Sequence, residues 1–163
     1  MTSAEEEIAA GERALGSLDY EAAYKHFDKA ARLDPANAIA VFGKAESALG
    51  VPNSESEEIA AAYRKAIELD PENPQFLEAF ASFSMEQGRF NEAEQSYLKA
   101  AKLDPDNAGY YFSEFAVQYK ARAPVVMAQF LDDKTRDMIA NKALDYTLRA
   151  LEMTRDEAKR LLG

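Results

Sequence analysis

Apolar and small residues along the first two-thirds of the chain recur three and four positions apart, the spacing of one face of a helix. Helical composition runs from Ala4 to Leu15, is interrupted at Gly16-Ser17-Leu18-Asp19, and resumes from Tyr20 to Leu33 before Asp34-Pro35. The same order returns with Phe76 to Gln87, a break at Gly88, and Phe90 to Leu103 before Asp104-Pro105. Proline has no N–H and clashes with the preceding turn, so each Asp-Pro ends one helix and opens the next. The pattern predicts an all-α chain of paired helices.

The pairs repeat. Leu33-Asp34-Pro35-Ala36-Asn37 recurs as Leu69-Asp70-Pro71-Glu72-Asn73 and as Leu103-Asp104-Pro105-Asp106-Asn107, with the prolines 36 and 34 residues apart. Upstream of each stands a small-large-small trio spaced four then three: Ala23, Phe27, Ala30; Ile59, Tyr63, Ala66; Ala93, Tyr97, Ala100. The middle break, Gly50-Val51-Pro52-Asn53-Ser54, is longer by two residues and accounts for the period of 36. It reads as a loop insertion.

These residues resemble the tetratricopeptide repeat (TPR), a helix-turn-helix of about 34 residues with a small-aromatic-small signature and a closing proline. The repeats are then Ala4 to Asn37, Ala38 to Asn73 and Pro74 to Asn107. The eighth position is small throughout, as Gly11, Ala45 and Ala81; the large fourth position is Val41 and Leu77 but Glu7 in the first repeat, where nothing stacks before it. The resemblance implies a right-handed helical-hairpin solenoid: a single TPR domain over 1–163, with repeats 4–37, 38–73 and 74–107, a divergent fourth repeat with an insertion over 108–153, and a capping helix over 154–163.

In that fourth unit Tyr111 and Phe115 take the core positions of the first helix, and Ala143, Thr147 and Ala150 form a late second-helix trio. The insertion falls around 123–131, carrying Val125, Val126, Met127, Phe130 and Leu131, with Pro124 suited to a first helical position and Asp132-Asp133 to its end or to a cap. Thr154-Arg155-Asp156-Glu157 has capping-box spacing and opens the last helix, which in such families covers the open end of the stack.

Stacked hairpins of this kind curve so that the first helix of each unit lines an inner face. At about 100° per residue, positions two, five, nine and twelve point away from the paired helix. They are Glu5, Ile8, Glu12 and Leu15; Ile39, Phe42, Glu46 and Leu49; Gln75, Glu78, Ser82 and Met85; then Gly109, Phe112, Ala116 and Tyr119. The candidate partner-binding groove is Ile8, Glu12, Leu15, Phe42, Glu46, Leu49, Glu78, Met85, Phe112 and Tyr119. Its apolar members suit a helix or extended peptide, unless the insertion or neighbouring repeats already cover them. Among Tyr110, Tyr111 and Phe112, consecutive residues span several helix faces, so at least one belongs to the core and at least one to a groove or interface. Some TPR chains hold the C-terminal carboxylate of chaperone peptides with Lys and Asn; the matching positions here are Ile8, Glu12, Gly43, Gln75 and Ala79, with no cation. A carboxylate would meet Glu12 and Glu46, so a basic or neutral apolar ligand is preferred.

Charge points the same way. The 19 Lys and Arg against 29 Asp and Glu give −10, distributed as −4 over 1–37, −4 over 38–73, −3 over 74–107 and +1 over 108–163. Such acidity disfavours nucleic acid and anionic membranes, whose binding depends on Lys and Arg. With no Cys, disulfides, thiolate metal sites and cysteine nucleophiles fall away, and His26 alone supplies no His pair. No phosphate loop, nucleophile elbow or calcium loop is present, and the acidic pairs Glu57-Glu58, Asp132-Asp133 and Asp156-Glu157 sit where helix starts favour them. The start lacks a basic n-region, and no stretch approaches 18 consecutive apolar residues, so the expected setting is cytoplasmic. The sequence therefore predicts a non-catalytic adaptor without cofactor or metal, binding a protein or peptide and standing as a monomer or weak homo-oligomer. The alternative is a structural subunit that self-associates or sits in a larger assembly with its groove self-filled.

Overall fold

The structure is a computed structural model describing residues 1–152 and 155–162, with the side chain of Ala158 left out. Its helices are α1 (Ala4–Gly16), α2 (Tyr20–Leu33), α3 (Ala38–Ala48), α4 (Ser56–Leu69), α5 (Pro74–Glu86), α6 (Phe90–Leu103), α7 (Ala108–Val126), α8 (Asp133–Ala150) and α9 (Arg155–Leu162), with 3-10 turns at Pro105–Asn107 and Ala128–Phe130. No helix among the described residues is long and apolar enough to cross a membrane. The chain divides into two compact units, Met1–Phe76 and Leu77–Gly163.

Helix starts are set by short polar side chains that satisfy the orphan N–H groups of a first turn. Ser3 and Glu6 form a reciprocal capping box at 3.1 and 2.9 Å. Asp19, Asn37 and Asp132 accept from Ala22, Ala40 and Thr135 at 3.0, 3.1 and 2.7 Å. The expected box at Thr154 lies outside the described residues.

The first hairpin turns where the sequence places its break, over Gly16-Ser17-Leu18-Asp19. Gly16 is the last residue of α1, and the left-handed position is Leu18, with φ 59°. Asp19 N–H returns to Ala14 C=O and Leu18 N–H to Leu15 C=O, both at 2.9 Å, which is a Schellman close. The third repeat makes the same two bonds from Arg89 to Ser84 and from Gly88 to Met85, with Gly88 at φ 71°.

In unit 1, α3 packs on α1 and α2, and α4 packs on α3. Ala23, Phe27 and Ala30, then Ile59, Tyr63 and Ala66, are all buried. Phe27 is fitted against two glycines: a Cβ on Gly11 would lie 2.8 Å from its ring and one on Gly43 only 2.3 Å away. Val41, Ala66 and Phe76 form a further cluster that Phe42 joins, its ring stacked on Phe76 with centroids 4.4 Å apart. In unit 2, Ala93, Tyr97 and Ala100 are buried, as are Tyr111 and Phe115 on α7.

Two expectations for the C-terminal third, for Pro124 and for Thr147, are corrected. Pro124 does not open a helix; α7 runs through it to Val126, and its missing N–H falls in the last turn, facing Lys120, an exposed residue. The insertion buries little: Val125 and Phe130 are 75% and 77% exposed. In α8 the large core residue is Tyr146, while Thr147 is exposed, so the trio was one residue out of phase. In the last helix Leu161 and Leu162 are 74% and 89% exposed. Arg155 ties it to α8 through Asp145 at 2.6 and 2.9 Å.

Candidate partner-binding clefts

Glu7 stands where the other repeats carry buried Val41 and Leu77, and it too is buried. A lone carboxylate there would be costly, so it is met by His26 Nδ1 at 2.7 Å, Lys29 Nζ at 2.6 Å and the Thr2 hydroxyl. The His26 contact first, then those from Lys29 and Thr2, hold the Glu7 carboxyl down at about 2. This cluster closes the first hairpin of unit 1, and it gives His26 a structural partner.

Three of the expected groove residues meet in unit 1. Leu15, Glu46 and Leu49 line one cleft of about 430 Å³, together with Tyr20 and Gly50. Leu49 is 49% exposed there, and the Glu46 carboxylate accepts the Tyr63 hydroxyl while facing the cleft. Ile8 is half-buried and Glu12 exposed on the same helix as Leu15. The sequence reading missed Tyr20 and Gly50, which come from the ends of neighbouring helices rather than from the phase of one. A Cβ on Gly50 would lie 2.1 Å from the Tyr20 ring, so the glycine is what lets that ring form a wall.

A second cleft of unit 1, about 470 Å³, opens between α2, α3 and α4 over Val41, Ala48 and Ile59. Tyr24, Lys44, Glu58 and Lys65 rim it, and Ser54 from the lengthened turn reaches it. Lys44 is bound to Asp28 at 2.6 Å and lies over the Tyr24 ring. Burial opposes its charge, but the Asp28 hydrogen bond and the charges of Tyr24 and Asp28 raise its pKa all the same.

In unit 2, Glu78 accepts the Tyr110 hydroxyl at 2.6 Å, a bond that, with burial, pushes Tyr110 up to about 12. The Gln118 amide donates to both the Tyr97 hydroxyl and Glu114, at 3.2 and 3.0 Å. Phe112 is half-buried, with Arg149 over its ring and Tyr146 beside it. Two expected anchors are corrected: Met85 is 0% and Tyr119 3% exposed. Tyr119 is held by Phe90, by Phe115 stacked at 5.2 Å and by Lys142, because the longer α7 and α8 enclose it. Among the described residues no three His, Asp or Glu gather as a metal site.

Helical hairpins with small-aromatic-small cores and clefts beside the first helices are now joined by likeness to known chains. Two models described as tetratricopeptide repeat match residues 8–74 and 62–95, and one described as TPR repeat matches 84–113. The chain belongs to the tetratricopeptide-repeat family. A curated relative, Protein STIP1 homolog of Dictyostelium discoideum, is 36% identical over 85 residues, 52% of this chain and 15% of that protein. The chain thus spans about 15% of the curated relative's length. The crystal structure of MamA superposes with TM-score 0.73 at 17% identity, over 96% of this chain and 81% of that one. The structure of Pseudomonas aeruginosa pilF gives 0.63 at 24% identity, over 90% and 60%. These two likenesses are of fold. Tetratricopeptide-repeat folds serve in general as scaffolds for protein–protein interaction, and the repeats of this chain support that general role.

Proposed function

We propose that this tetratricopeptide-repeat chain is a cytoplasmic, non-catalytic adaptor whose unit 1 cleft holds a peptide or helix bearing apolar side chains next to Lys or Arg. The observation that carries the reading is the meeting of Leu15, Leu49 and Glu46 around one open cleft. Exposed Leu49 and half-buried Leu15 offer apolar surface that their own core does not use, and the carboxylate beside them selects a cation over an anion. Glu12 extends the acidic edge, and Ile8 the apolar one. Glu78 and Phe112 offer a carboxylate and a ring of the same chemistry in unit 2, though each is already engaged by its own chain. Phe42 is spent mainly on Phe76 and contributes an edge at most.

The test is fluorescence anisotropy with a labelled amphipathic probe peptide of alternating Lys and Leu, against the same peptide with Glu for Lys. The basic probe binds more tightly, and the preference shrinks with salt. Leu49→Glu weakens it by about tenfold or more, since it removes an apolar contact worth more than about 1.4 kcal/mol. Equal binding of the acidic probe, or no effect of Leu49→Glu, overturns the proposal.

A further inference from the structure

The ligand chemistry that the unit 1 cleft selects is present elsewhere in this same chain. Helix α9 places Lys159 and Arg160 directly before Leu161 and Leu162, and both leucines stand in water at 74% and 89% exposure. Arg155, at the start of the helix, pairs with Asp145 at 2.6 Å, and both side chains are about half exposed. Unit 1, in contrast, has 7 Lys and Arg against 15 Asp and Glu, a net −8. Its open cleft brings Glu46 together with Leu15 and Leu49, with Glu12 exposed one turn before Leu15.

We infer that the cleft of one copy receives the α9 end of a second copy, Leu161 and Leu162 entering between Leu15 and Leu49 while Lys159 and Arg160 meet Glu46 and Glu12. This rests on the cleft being the partner site. Burial of the two leucines drives the contact, and the unequal charge of tail and unit 1 steers it and makes it sensitive to salt. Glu46 can take a cation while keeping the Tyr63 hydroxyl, because a carboxylate offers more than one acceptor position. The contact joins two different patches, so each added copy still presents a free cleft or a free tail, and assembly runs head to tail rather than stopping at a symmetric pair.

Sedimentation equilibrium over a wide concentration range tests this on the full chain. The mean mass of the wild type rises with concentration and falls back in high salt. Leu49→Glu, which spoils the cleft, and Leu161→Glu/Leu162→Glu, which spoils the tail, each weaken association by about tenfold or more. Lys159→Glu/Arg160→Glu does the same from exposed positions, where loss of folding is no explanation. Mixing the cleft variant with the tail variant restores association as a one-to-one heterodimer, because one supplies an intact tail and the other an intact cleft. A wild type that stays monomeric throughout overturns the inference, as does a mixture that remains monomeric when each variant alone has lost association. The probe-peptide titration separates the two readings: if Leu49→Glu loses the probe while the wild type is monomeric, only self-pairing falls, and if the probe never binds, the cleft itself falls.

Discussion

Gly43→Ala decides whether the first core of unit 1 is built on backbone proximity. Alanine is the better helix former by about 0.8–1 kcal/mol, so in an open helix the change stabilises. Here the new methyl would lie 2.3 Å from two carbons of the Phe27 ring and 2.6 Å from a third. Carbon atoms rest about 3.5–4 Å apart, so the ring has to move by more than about 1 Å. It has nowhere to go: Phe27 is 2% exposed and Gly11 presses its other edge. Overpacking of this sort costs about 1–3 kcal/mol, and a ring driven out altogether costs as much as its truncation, about 3–5 kcal/mol. After the propensity gain is subtracted, Gly43→Ala loses up to about 2 kcal/mol if the ring shifts in place and about 2–4 kcal/mol if it is driven out. Gly16→Ala is the internal control, since nothing lies within 4 Å of its Cβ; it gains up to about 1 kcal/mol. The assay is urea unfolding followed by circular dichroism, with amide exchange reporting α2 and α3 separately, because the chain has two units. Phe27→Leu in the Gly43→Ala background recovers part of the loss, giving a coupling energy above about 0.5 kcal/mol. A Gly43→Ala protein as stable as the wild type, or costs that simply add in the double variant, refutes the account.

The remaining predictions concern a turn, a charge and a bond. Leu18→Gly relieves a side chain held at φ 59° in the position where the third repeat uses Gly88, and raises unit 1 stability by about 1 kcal/mol, read by thermal melting. Glu7, lowered from 4.5 to about 2 in the folded chain, contributes stability that is complete above pH 4.5 and is lost as pH falls from there toward 2. Glu7→Gln therefore has the flatter melting temperature across that window, and parallel curves for the two proteins sink the assignment. Tyr146→Phe removes the hydroxyl that donates to Glu94 at 2.7 Å and loses about 1.5–3 kcal/mol from unit 2 by urea unfolding; an unchanged midpoint means that Lys142, at 2.9 Å, holds Glu94 alone.

Where the sequence reading succeeded, the governing interactions are local. Ala23, Phe27 and Ala30 fall on one helix face whatever surrounds them, and Asp-Pro ends a helix by its own covalent geometry, so trios and boundaries could be read at once. Where it failed, a second element decides. The break at Gly16-Ser17-Leu18-Asp19 is legible, but which of its residues turns left-handed is not, and the Schellman bonds place that conformation on Leu18. The phase of α5 and α7 alone assigned Met85 and Tyr119 to an open face, and packing from neighbouring helices buried them. Thr147 had the right spacing from Ala143 but the wrong size, and Tyr146 fills the core instead with a ring 4.5 Å from Phe115.

The cleft shows both sides of this divide. Leu15, Glu46 and Leu49 were found because a helix alone sets their direction. Tyr20 was not, because its ring reaches the cleft only where Gly50 has no Cβ to obstruct it. The glycine after the helix end thus shapes the wall of the proposed site by leaving room for a neighbour's ring. The same reasoning explains why Gly11 and Gly43 matter to Phe27, and why the small positions of this family carry as much structural information as the large ones.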